Sequence, residues 1–433
     1  MPFQHARLTE TGFELTDAGR GLITTLSFHV AALTCAEINF IYFNHQFSCN
    51  MKIRTLLFTM FLYFSASAQT AQIVFTSDID RFWQAYDSVQ TTKDSLRQLQ
   101  YIQTLYLDKG TPGLKAFMAA REYNAPLYVN RIRQYPAFWA SIRPNTFSVK
   151  QYVPQIEHSI ERFKELYPAL KDAKMYFTVG ALRSGGTVSG NLVLIGTEIA
   201  TGDSTIDVSE FPSRWLADVF SKQKPDNIVS LNIHEYVHTQ QKGEPKDLLS
   251  LAIQEGSCDF ITELVRGRPL LTSYIVYGDA HEAALKEKFK QEMFSDGFQS
   301  WMYEGNNAAT VADLGYYMGY TICRSYYKNA KDKKKAVAEI IELDYADSLA
   351  VQNFLLRSGY YKEKLDRPAL MQAYQKKRPV VERIEPFTNG DTTVSADTKE
   401  IRFVFSTVMS PARYSFSQGS GGKEQYPEAE KPQ

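Results

Sequence analysis

Residues 234–238 read His-Glu-Tyr-Val-His, and a second acidic pair follows in Glu255-Gly256-Ser257-Cys258-Asp259. On a helix, residues four apart lie one turn above each other on the same face, so His234 and His238 present two imidazoles to one side. Glu235 stands about 100° round that helix from His234, within reach of a water held by the imidazoles but off the ligand position. Glu255 and Asp259 are also four apart, so both carboxylates face one side of the next helix. A catalytic zinc takes three protein ligands and keeps a fourth position for water. Two imidazoles and Glu255 fill that requirement. The remaining carboxylate, Asp259, can accept the free N–H of a ligating imidazole and so fix its tautomer and orientation. The spacing therefore assigns His234, His238 and Glu255 to Zn2+, Asp259 to a supporting bond and Glu235 to general base.

Two helices must position these groups. Residues 226–243 and 247–266 read as helical, separated by Gly243-Glu244-Pro245, and Gly267 and Pro269 close the second. Ile228, Val229, Leu231 and Ile233 are apolar enough to bury the first of them. Ahead of it the texture is β: Lys174 to Val179 alternates, Leu192 to Gly196 is a compact apolar run, and Gly185-Gly186-Thr187 and Gly190-Asn191 mark turns. Further helices are expected within 79–135, broken by the turn at Lys109–Gly113, and over 152–170, 280–295 and 308–330. His158 sits on one of these with no second imidazole at ligand spacing. The expected fold class is α+β: mostly helical, with a small sheet before the motif helix.

His-Glu-x-x-His followed by Glu-Gly-x-x-Asp resembles the gluzincin branch of zinc metallopeptidases. The run His-Glu-Tyr-Val-His-Thr-Gln-Gln is similar to uncharacterised exported bacterial Zn-dependent proteases. The resemblance is loose over residues 75–375 and tight over 226–262. It implies a zincin-like fold, a peptide or protein substrate, and the same roles for His234, His238, Glu255, Glu235 and Asp259. It also implies an edge strand ahead of the motif helix, placed within 185–198, that holds extended substrate by main-chain hydrogen bonds. In such enzymes a Tyr or His downstream of the third ligand donates to the tetrahedral oxyanion. The candidates are Tyr320 and Tyr317 first, with Tyr316 and His281 beside them. Cys258 stands where such sequences carry a small residue, and reads as a small packed side chain.

The rest of the chain bounds the setting. Its 433 residues are 44% hydrophobic and carry 48 basic and 48 acidic side chains. That balance, without a long block of one sign, gives no reason to expect a nucleic-acid partner. Residues 1–50 read as upstream sequence and Met51 as the true start. Met51-Lys52-Ile53-Arg54, the apolar run Leu56–Phe64 and Ala66-Ser67-Ala68 form a signal peptide over 51–68, which implies export. No later segment is long and apolar enough to span a membrane. Cys258 and Cys323, the two cysteines after the signal, could form one disulfide or stay buried thiols. The catalytic domain is expected at 69–377. Residues 378–417 resemble a partial bacterial Ig-like β module, with Ile401, Phe403 and Phe405 at period two, and offer a surface for contact. Residues 418–433 are Gly-, Glu- and Pro-rich and expected to be disordered. The rival to a zinc peptidase is a catalytically inactive surface binding or adhesion protein on the same scaffold.

Overall fold

The computed structural model describes residues 72–224, 227–302 and 311–408. The leader, the signal segment and the tail lie outside them. Gln72–Arg378 form one compact unit, and the described residues from Pro379 onward belong to a second.

The first unit is mostly helical with one small mixed sheet. β1 (Val74–Phe75), β2 (Lys174–Thr178), β3 (Gly186–Ser189) and β4 (Leu192–Gly196) lie in the order β1-β2-β4-β3. β1, β2 and β4 are parallel, whereas β3 runs antiparallel to β4 with Gly186 opposite Ile195 and Ser189 opposite Leu192. β3 is thus an edge strand, as expected within 185–198. Met175, Phe177, Val193, Leu194 and Ile195 are fully buried, consistent with a parallel sheet covered on both faces.

The N-terminal helices are α1 (Ser77–Gln90), α2 (Ser95–Tyr101), which runs into a π-helical turn at Ile102–Leu107, α3 (Pro112–Arg121) and α4 (Ala125–Gln134). They surround an aromatic cluster of Phe82, Trp83, Tyr106, Tyr128 and Trp139. The helix expected at 152–170 is longer: α5 spans Pro136–Leu166 and holds Pro144 and Pro154 inside it. Each interior proline removes a ladder bond and costs about 3 kcal/mol. Phe138, Trp139, Ile142, Val149, Ile156, Ile160 and Phe163 are buried along the same helix, and at roughly 1.5–3 kcal/mol each that burial outweighs both.

After the sheet come α6 (Thr197–Ala200), α7 (Trp215–Lys222), α8 (Asn227–His238), α9 (Leu248–Arg266), α10 (Ser273–Glu292), α11 (Leu314–Asn329), α12 (Lys333–Ile341), α13 (Ser348–Ser358) and α14 (Arg367–Lys377). No helix among the described residues is long and apolar enough to cross a membrane. Cys258 and Cys323 are both buried free thiols. In the second unit the described residues form one antiparallel pair, β5 (Val381–Glu385) with β6 (Arg402–Phe405). That is two strands, where an Ig sandwich has about seven in two sheets.

Glu198, in the short helix α6, is 0% exposed, and its carboxylate accepts from the backbone N–H groups of Gly180 and Leu182 at 2.8 and 3.0 Å. Burial pushes its carboxyl up to about 7, against those two bonds, which favour the anion. The folded value lies above the ordinary 4.5 of an unfolded chain. Its contribution to stability is therefore full below pH 4.5 and is lost as pH rises through about 7. Unfolding free energy from urea titration is expected to fall by up to roughly 3 kcal/mol more between pH 4.5 and pH 8 in the wild type than in Glu198→Gln.

Candidate metal centre

α8 buries Ile228, Val229, Ile233 and Val237 and turns His234, Glu235 and His238 towards α9 and the edge strand. It packs against α5, β3, β4 and α9. Tyr236 pins it from behind, its hydroxyl accepting from the Ala173 N–H at 3.0 Å. Gly243, at φ +83°, makes the connection to α9 in a conformation open to glycine, and a Cβ there would stand 2.4 Å from Asp344 Oδ1. Asp247 starts α9 with a capping box to Ser250, and Gly267 ends it in the left-handed region.

The two helices bring the five residues of the sequence motif together. Nε2 of His234 and Nε2 of His238 lie 3.4 and 3.2 Å from the same oxygen, Oε2 of Glu255. Three ligand atoms at 2.0–2.2 Å from a tetrahedral zinc stand about 3.3–3.5 Å apart, so these separations fit that ion. The opposite edge of each ring is held. His234 Nδ1 lies 2.8 Å from Asp259 Oδ1, and His238 Nδ1 lies 2.7 Å from Gln241 Oε1. Both partners are acceptors at that atom, so each ring is held through its Nδ1–H and turns Nε2 to Glu255.

The supports are supported in turn. Tyr274, on α10, donates its hydroxyl to Asp259 Oδ2 at 2.9 Å. Gln241 donates its amide to the Gln254 carbonyl and to Ser257 Oγ, at 2.9 and 2.8 Å, which fixes which end faces His238. Sequence reasoning missed Tyr274 and Gln241. Gln241 was visible only as part of the His-Thr-Gln-Gln run; it sits past the end of α8, where helical phase no longer says what a side chain meets.

Electrostatics follow from this packing. Burial disfavours a charge on Glu255, but His238 and His234 beside it hold its carboxyl well below the usual range. Burial likewise disfavours charged imidazoles, and Cys258, Asp259 and Glu255 around them outweigh it, so both are raised above the ordinary histidine value.

Cys258 departs from the expectation of simple packing. Its Sγ lies 3.4 Å from His238 Nδ1, and the donor atoms of His234, His238 and Cys258 lie within 4.8 Å of one another. This is a second group that could hold a metal. The thiol is on the Nδ1 edge of His238, which Gln241 already occupies, whereas Glu255 faces Nε2 of both rings. On the Nε2 edges the group that could hold an ion is His234, His238 and Glu255.

Glu235 is half-buried beside the edge strand: a Cβ on Gly186 would lie 3.1 Å from its Oε1. Of the tyrosines on α11, Tyr317 donates to Asp279 at 3.3 Å and Tyr320 to Glu263 at 2.9 Å, so neither hydroxyl is placed at the histidines. His281 is exposed and stacked on Tyr277. Tyr316 is the one that the structure brings to the centre, with its ring 6.2 Å from that of His234 and 5.7 Å from that of Tyr274.

Two imidazoles and a carboxylate converging in this way, with their outer edges restrained, form a donor set that could hold a metal ion. Residues 214–349, which contain all of it, match the family described as "Predicted Zn-dependent protease (DUF2268)". No curated protein and no solved structure matches the chain. The family match supports a zinc protease in coarse terms.

Proposed function

We propose that the protein is an exported zinc peptidase of gluzincin type that hydrolyses peptide bonds in peptides or proteins. The observation that carries this reading is the meeting of His234 Nε2 and His238 Nε2 on one oxygen of Glu255, at 3.4 and 3.2 Å, with both Nδ1 atoms held elsewhere. Zinc bound there supplies Lewis acidity and a water of lowered pKa. Glu235 takes a proton from the attacking water and returns it to the leaving amine. Asp259 and Gln241 keep the imidazoles in one tautomer and orientation throughout. The free side of Gly186–Ser189 pairs with extended substrate by main-chain hydrogen bonds, which suits many sequences because side chains are not read there. Tyr316, beside His234, takes the oxyanion-donor role in place of Tyr317 and Tyr320.

Metal analysis comes first. The purified protein is expected to carry about one zinc per chain, and His234→Ala to carry none. A peptide library with zinc present then tests hydrolysis. Zinc-bound protein that cleaves nothing would favour the second reading, a binding protein on this scaffold. That reading draws on the second unit, where Val381, Phe403 and Phe405 are 47, 44 and 37% exposed.

A further inference from the structure

Glu198 has no part in the chemistry above, yet it is the buried acid that grips the segment leading into the edge strand. Its two oxygens divide between two backbone donors of one turn: Gly180 N–H to Oε2 and Leu182 N–H to Oε1. Leu182 is held at φ +60°, a conformation that a leucine rarely adopts and that its bond to the carboxylate helps to maintain. One residue upstream, the Val179 carbonyl accepts from the hydroxyls of Tyr106 and Tyr128 at 2.6 and 2.8 Å. Downstream, Gly196 N–H donates to the Gly185 carbonyl at 3.0 Å, and the next residue is Gly186, beside Glu235. The turn is thus fixed at both ends, and Glu198 holds its middle.

We propose that Glu198 is a positioning residue for substrate: through Gly180 and Leu182 it sets how far the edge strand Gly186–Ser189 stands from Glu235. The inference rests on the peptidase reading only for what the strand binds. Among the described residues no cation pairs with this carboxylate. The titratable groups that face it are Tyr106, Tyr123 and Tyr128, whose hydroxyls burial pushes upward, so they stay neutral through the physiological range. A buried, unpaired carboxylate is unfavourable for folding alone. Burial pushes its carboxyl up to about 7, so its grip on the two N–H groups strengthens as it ionises above that value.

The test is steady-state kinetics of zinc-loaded wild type and Glu198→Gln on one cleaved peptide, with hydrogen exchange on both. The amide of Gln leaves one backbone donor facing an N–H. KM is expected to rise about tenfold at pH 8 with kcat within about threefold, and the KM gap to narrow below pH 6, where the wild-type carboxyl is neutral. Exchange in residues 180–189 should quicken about tenfold while α8 is unchanged. Unchanged KM and exchange, or equal losses of kcat, KM and zinc at every pH, would overturn the proposal. If Glu198→Gln does not fold, Gly180→Ala replaces it. Its Cβ would stand 2.7 Å from the Tyr123 hydroxyl and 2.9 Å from Glu198 Oε1 and so disturb the grip on the turn, and a folded variant with unchanged KM overturns the proposal equally. If the wild type cleaves no peptide, the peptidase reading fails by itself. The exchange data on residues 180–189 then decide the positioning role, faster exchange supporting it and unchanged exchange overturning it.

Discussion

Glu235→Gln is expected to keep its zinc and lose peptide hydrolysis by about 10²–10⁴-fold, the usual contribution of a general base. The substitution leaves shape and volume nearly unchanged and removes the group that can accept a proton. Metal should stay because both imidazoles are oriented from behind, by Asp259 and Gln241, and face Glu255 rather than Glu235. The edge strand should stay as well, since Gly186 presents only backbone to the substituted side chain. The loss should fall on kcat, with KM changed little, because the missing interaction exists only while a proton moves. Zinc content by elemental analysis and kcat on a cleaved peptide are the two measurements. A variant that hydrolyses peptides as fast as the wild type would place the base elsewhere, and one that loses zinc would make Glu235 a holder of the metal.

The parts of this centre that were legible in the sequence are those set by helical phase. His234 with His238, and Glu255 with Asp259, are four apart, so any helix puts each pair on one face whatever the tertiary fold. The turn glycines and the apolar run at 192–196 gave the sheet for a similar local reason. What stayed illegible depends on packing. The order Tyr316, Tyr317, Tyr320 says nothing about which ring meets His234, because that is fixed by how α11 is rotated against α9. Tyr274 reaches Asp259 only because the short connection after Gly267 brings the start of α10 back to α9. The part of α5 before residue 152 was not expected; it holds Pro144, which is tolerated only because the helix buries so much of one face.

That rotation of α11 against α9 is set by two glycines, and the second large effect is expected there. A Cβ on Gly319 would lie 1.7 Å from the Ala252 carbonyl oxygen, 2.4 Å from its carbon and 3.0 Å from the Ile253 Cα, all backbone atoms. From the other side, a Cβ on Gly256 would lie 2.1 Å from Tyr320 N and 2.5 Å from the Tyr316 carbonyl oxygen. Neither helix has a flexible side chain to move aside, so Gly319→Ala forces the axes apart. Tyr317, Met318, Ile322 and Cys323 are fully buried on α11, and their packing would loosen with the contact. Gly319→Ala is therefore expected to destabilise the fold by roughly 3 kcal/mol, at the upper end for overpacking. Because Glu255 is the residue before Gly256, the same shift should weaken zinc binding, which a merely local loss of stability would leave alone. Gly315→Ala is the comparison: the nearest atom to its Cβ, at 2.1 Å, is Met302 Sδ, on a side chain that can rearrange, although the Trp301 carbonyl oxygen also stands 3.0 Å away. Urea unfolding and zinc titration of the two variants together decide the matter. An equal or smaller loss in Gly319→Ala would show that the helices part easily and that the glycine contact does not set the position of Glu255.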